Sequence, residues 1–124
     1  MKPHLPGLTP RPETAIRPGL EEGLALYRSG YFWEAHEAWE PLWLEARPNS
    51  RERAFLQALI QLANGWLKVA MGRGPAAARI TGLVADHLAR AGQGVVLGIE
   101  TAWAWAELGR LRARSRGRAN LHGD

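Results

Sequence analysis

A chain of 124 residues and 13.7 kDa has the length of one domain, enough to bury about two-thirds of its unfolded surface in a single core. Apolar residues make up 46% and charged residues 23%, an ordinary globular composition. The absence of cysteine excludes a disulfide scaffold, a thiol nucleophile and any zinc site with thiolate ligands. No run reaches the ~18 apolar residues that a spanning helix needs. The opening MKPHLPGLTPRPE lacks the apolar segment of a signal peptide. The expected compartment is therefore the cytoplasm, with no membrane contact.

The net charge of +4 invites a nucleic-acid reading, but its distribution argues against one. Through Gly109, eleven basic residues balance eleven acidic ones. The last fifteen residues then set Arg110, Arg112, Arg114, Arg116 and Arg118 against Asp124. A run of arginines without interleaved aromatics carries no base-reading signal, so residues 113–124 are expected to form a flexible, solvated tail. Fourteen of the sixteen basic residues are Arg, a thermophile-like bias that bears on stability rather than on function.

Residues 1–17 hold Pro3, Pro6, Pro10 and Pro12 and read as an extended arm. A single helical domain is expected over 18–112. Pro18 suits a first helical turn, and Leu20, Leu24 and Tyr27 follow at helical spacing until Ser29-Gly30. The second helix spans about Tyr31 to Ala46, with Pro41 predicting a kink near Glu40. After the break at Arg47-Pro48, Asn49 with Glu52 reads as a capping box for a third helix to about Met71. Pro75 opens a fourth helix that ends near Arg90. A fifth is expected from about Val95 to Arg112. No segment shows strand alternation with β-branched enrichment. The fold class is all-α: a compact bundle of about five helices with antiparallel neighbours.

Gly23, Tyr27, Gly30, Phe32, Ala35 and Trp39 fall near the small and aromatic positions of one tetratricopeptide unit. No second copy follows 34 residues later, so the likeness describes how a first helix hairpin packs and not a peptide-binding array.

The second helix carries the most informative cluster. At about 100° per residue, Phe32, Trp33, His36, Trp39, Glu40 and Trp43 share one face, which is expected to be buried. His36 and Glu40 are neighbours at i, i+4, and Glu37 sits at the edge of the face. A carboxylate between tryptophans must be paired or hydrogen-bonded. The third helix offers a polar stripe of Gln57, Gln61, Asn64 and Lys68. If that stripe faces the second helix, His36, Glu40, Gln61 and Lys68 form one internal network suited to acid–base work. If it faces water, it means little. Sequence alone does not orient it.

The strings GYFWEAHEAWEPLW and FLQALIQLANGWLKVAMGRGPAAAR resemble the bacterial domain-of-unknown-function family 309 over about residues 20–85. The resemblance rests on Ala-His-Glu, a second Glu three residues on, a Trp, and the later Leu-Ile-Gln. It implies that His36, Glu37, Glu40, Trp43 and Gln61 matter most, in a protein of the kind labelled predicted metal-dependent hydrolase, with no established substrate. Where that family usually has a second histidine this chain has Lys68, and Arg73 stands where Asn is common. A protonated ammonium is not a metal ligand.

Two functions from different classes follow. In the first, the His/Glu/Gln cluster fixes helix packing in a non-catalytic interaction protein. In the second, a metal-dependent or acid–base hydrolase is centred on His36-Glu37-x-x-Glu40. HEAWE is then a zincin-like helix whose second histidine is Glu40, with Glu37 as general base and His87 as third ligand to a divalent metal. His87 alone is expected near a helix C-terminus, where a cation is favoured. A nucleic-acid accessory role through the tail is the remaining alternative.

Trp103 and Trp105 project about 160° apart on a helix. Val95, Val96, Ile99 and Trp103 are expected to face the core, which leaves Leu97, Trp105, Leu108 and Leu111 on a second apolar face. Such a face predicts a partner surface, most simply in a homodimer.

Overall fold

The computed structural model describes residues 18–121, with side chains through Arg116. Among them, five helices follow one another: α1 (Pro18–Arg28), α2 (Phe32–Glu45), α3 (Arg51–Ala70), α4 (Gly74–Ala91) and α5 (Thr101–Leu121). A short hairpin of β1 (Val95–Val96) and β2 (Ile99–Glu100) precedes α5. The fold is an all-α bundle, as the periodicity predicts. The expected arm of residues 1–17 lies outside the described residues.

Helix α3 is the centre of the bundle and packs against α2, α4 and α5, while α1 is carried on α2. Its sequence explains the position. Phe55, Leu59, Leu62, Ala63, Trp66 and Val69 are buried, leaving only a narrow polar stripe. A helix apolar over most of its circumference is stable only inside other elements.

The tetratricopeptide-like hairpin has a steric basis. A Cβ on Gly23 would lie 2.2 Å from Trp39 Nε1, so only glycine lets α1 approach the fully buried indole. The same Nε1 donates to the Leu20 carbonyl at 3.3 Å. Helix α2 continues unbroken through Pro41.

Several expectations are corrected. Ser50, not Asn49, caps α3: its Oγ accepts from the Arg53 amide at 3.1 Å and donates to the Arg47 carbonyl at 2.7 Å. Asn49 is instead the left-handed residue of the preceding turn, at φ 64°, a conformation Asn tolerates better than most residues. Residues 95–100 form a hairpin rather than the start of α5, with Val95 opposite Glu100 and Val96 opposite Ile99. Leu97 and Gly98 form its two-residue turn at φ 55° and 80°, as a tight hairpin requires. Thr101 closes it by donating from both its amide and its hydroxyl to the Gly94 carbonyl, at 2.8 and 2.9 Å. The signals are the glycines at 94 and 98, not strand alternation.

The hairpin also changes the account of α5. Val96 and Ile99 enter the core from the hairpin, and Ala104, Leu108, Leu111 and Ser115 bury the helix at spacings of four, three and four. The second apolar face expected on α5 is therefore core: Leu108 and Leu111 are fully buried, and Trp105 stands alone at 40% exposure. The helix continues to Leu121, past the expected end at Arg112.

Candidate functional site

The polar stripe of α3 faces α2. His36 Nδ1 lies 3.0 Å from Asn64 Oδ1, and Asn64 Nδ2 donates to Gln61 Oε1 at 3.4 Å. Gln61 thereby turns the Asn64 amide so that its oxygen meets the imidazole. An acceptor at Nδ1 selects the tautomer with hydrogen on Nδ1 and leaves the Nε2 lone pair free. That Nε2 lies 3.8 Å from Glu40 Oε1, one helical turn on. In the neutral ring Nε2 is an acceptor facing a carboxylate; in the imidazolium it donates to one. The edge of Trp33 covers the ring, with centroids 5.3 Å apart at 63°.

The cluster is less enclosed than the sequence implies. The His36 side chain is 18% exposed and Glu40 46%. The supposed aromatic face divides: Trp39 is fully buried, Phe32 and Trp43 are half-buried, and Trp33 is 53% exposed. The buried ridge of α2 runs through Ala35 and Trp39, and His36 and Glu40 lie on its flank. Glu40 therefore needs no burial partner, because water solvates it.

The other sequence candidates separate. Glu37 is exposed and lines an open acidic groove with Glu22, Glu34, Leu26 and Trp33. Lys68 is half-buried and pairs with no side chain among the described residues, so Asn64 takes the place expected of it in the network. His87 sits on α4 with its Nδ1 against the Arg90 guanidinium. Burial, and then the Arg90 charge, hold its pKa below the ordinary histidine value. The expectation of a favoured cation there is corrected: a guanidinium one turn away opposes it. Among the described residues, no three His, Asp or Glu side chains group so that they could hold a metal ion. His36 and Glu40 stay a pair, and His87 keeps to its own contact.

A family model for a domain of unknown function, DUF309, matches residues 20–80. The chain belongs to the DUF309 family. The match covers α1, α2, α3 and the start of α4, and so includes His36, Glu37, Glu40, Gln61 and Asn64. No curated protein and no solved structure matches the chain. The polar cluster thus lies wholly inside the DUF309 segment, whereas the hairpin and α5 lie beyond it.

A second polar group escapes sequence inspection. Tyr27, Trp66 and Glu107 come from three helices: Trp66 Nε1 donates to the Tyr27 hydroxyl, which donates to Glu107 Oε1, both at 2.7 Å. Nothing local signals this, since Tyr27 and Glu107 are 80 residues apart. The one hint is a carboxylate between Trp103 and Leu108. On α5, Arg114 and Arg116 are exposed and Arg112 is half-buried. No described helix is long and apolar enough to cross a membrane.

Proposed function

We propose that this DUF309 protein is a cytoplasmic, non-catalytic helical interaction module that pairs with a second copy of itself, and that its His36 cluster holds α2 in register on α3. The observation that carries the proposal is the His36–Asn64 bond. It joins the outer helix to the central one at 3.0 Å, with Asn64 oriented by Gln61. A polar contact that satisfies two half-buried groups across two helices fixes their relative position, because any slip leaves both unpaired.

The partner follows from charge. The groove on α1 and α2 presents Glu22, Glu34 and Glu37 beside the exposed indole of Trp33. Helix α5 presents Arg114 and Arg116, with Arg112 half-buried next to them. An arginine-rich helix end complements an acidic, aromatic groove through charge and guanidinium–indole contact. Reciprocal exchange of the two across a two-fold axis closes a dimer. The test is the molar mass in solution, with Glu34→Lys/Glu37→Lys expected to dissociate the pair and Arg112→Glu/Arg114→Glu added to the first pair expected to restore it. A wild-type monomer at all concentrations contradicts the proposal.

A second reading has its own support. His36 Nε2 faces a half-exposed Glu40 while Nδ1 is tethered, and an oriented imidazole beside a carboxylate is suited to general acid–base hydrolysis. The described donor set does not fit a resident zinc, since two protein ligands fall short of the three that catalytic zinc sites use. A hydrolase screen comparing the wild type with His36→Gln tests this reading, which requires an activity that the variant loses.

A further inference from the structure

A cleft of 320 Å³ opens between α1, α2, α3 and α5, outside the His36 cluster. Its walls are aromatic. Phe32 lies nearly parallel to Trp66, with centroids 6.1 Å apart at 17°. Tyr27 stands edge-on to Phe32 at 5.4 Å and to Trp103 at 5.8 Å. Its polar groups are pinned. The Tyr27 hydroxyl accepts a hydrogen bond from Trp66 Nε1 and donates one to Glu107 Oε1, and burial followed by Glu107 pushes its pKa far above the ordinary tyrosine value. The phenol is therefore a neutral donor at every working pH. Both Glu107 oxygens are engaged, Oε1 accepting from Tyr27 and Oε2 3.4 Å from Arg110.

The remaining charge is Arg28. Its guanidinium lies 5.8 Å from the Trp103 ring centroid and has no carboxylate partner among the described residues. Arg110 sits 6.0 Å from Trp66. Two cations, Arg28 and Arg110, against the single carboxylate of Glu107 leave the lining of the cleft with a positive charge. Convergent polar groups at one end of an aromatic cavity of small-ligand size are what a binding pocket requires.

We infer that this cleft binds a small aromatic carboxylate, its ring against Phe32 and Trp103 and its carboxylate forked by Arg28. Rings favour rings here because edge-to-face contacts add to apolar burial. A planar guanidinium held on an indole face suits a planar carboxylate in a bidentate pair. The site does not depend on the dimer or on the His36 cluster.

The experiment is titration of 2-naphthoate into the full-length protein, followed by the indole N–H resonances of Trp66 and Trp103. Saturable shifts of both are expected. Arg28→Gln is expected to raise Kd at least about tenfold, the scale of losing one charge-assisted pair. Arg79→Gln, an exposed arginine on α4 outside both the cleft and the proposed interface, is expected to leave Kd unchanged. Three results would overturn the inference: no saturable shift, equal weakening by the two variants, or equal affinity for 2-naphthylmethylamine. The last would make the cleft a general aromatic site without anion recognition.

Discussion

His36 Nδ1 and Asn64 Oδ1, 3.0 Å apart, form the described side-chain hydrogen bond that links α2 directly to α3. Around it, apolar packing about Trp39 and Phe55 is joined by the Arg53 guanidinium of α3, which lies 4.7 Å from the Trp43 ring centroid and donates to the Ala46 carbonyl at the end of α2 at 3.0 Å. The bond therefore sets register where packing alone would tolerate small slips. Asn64→Ala is expected to cost about 1–2 kcal/mol, since it removes one partner and leaves a half-buried imidazole nitrogen unmatched. Chemical denaturation with an unchanged m-value would check this. A loss within error of zero would show that water replaces the amide freely.

Glu40→Ala should behave like a surface substitution. The carboxylate is 46% exposed and 3.8 Å from its partner, which places it among exposed pairs worth about 0–1 kcal/mol. Thermal melts are expected to put Glu40→Ala close to Glu34→Ala, and both well above Asn64→Ala. A large loss for Glu40→Ala alone would return it to the buried aromatic face that the sequence suggests.

Gly23 is the tightest point of the first hairpin. Gly23→Ala drives a methyl to 2.2 Å from Trp39 Nε1, and a fully buried indole cannot step aside without moving α1. A loss of about 1–3 kcal/mol, typical of overpacking, is expected. Gly30→Ala should act differently: its Cβ meets nothing within 4 Å, and its strain comes from φ 88° alone.

Tyr27→Phe removes the hydroxyl that joins Trp66 to Glu107. An indole N–H and a half-buried carboxylate oxygen then lose their partner together, and a cost of about 1–3 kcal/mol is expected. Equilibrium unfolding measures it, and Glu107→Gln separates the two halves because the amide still accepts from Tyr27.

His87 gives stability a pH dependence with a definite sign. Its folded pKa is held below the ordinary 6.5 by burial and then by Arg90. Below 6.5 the unfolded chain therefore binds the proton more readily than the folded one, and stability falls as the pH drops from there toward the folded pKa. His87→Gln is expected to flatten that part of the profile and to leave stability above pH 7 unchanged. A slope unaffected by the substitution would assign the acid sensitivity to other groups.

The helices were legible because their signals are local. Leu20, Leu24 and Tyr27 recur at helical spacing, and Pro18, Gly30 and Pro75 punctuate them. The hairpin at 95–100 was not, because a two-residue strand is too short to show alternation and Val-Val also fits a buried helical turn. With it went the misreading of Leu108 and Leu111, whose phase on α5 is only correct once the helix starts at Thr101. At the site, the His36–Glu40 neighbourhood follows from their spacing alone. The choice of Asn64 over Lys68 does not, since both lie on one stripe and only the height of α2 against α3 separates them. The Tyr27–Glu107 contact depends on how α1 and α5 meet, which no sequence period records.

The central claim, that the chain works as a self-associating module through its acidic groove and its arginine-rich helix, is tested most directly by light scattering on the eluting protein. The account predicts twice the 13.7 kDa chain mass for the wild type, the single-chain mass for Glu34→Lys/Glu37→Lys, and recovery of the doubled mass when Arg112→Glu/Arg114→Glu is added to it. A doubled mass that ignores both charge reversals, or a wild type that elutes at the single-chain mass however concentrated, would contradict it.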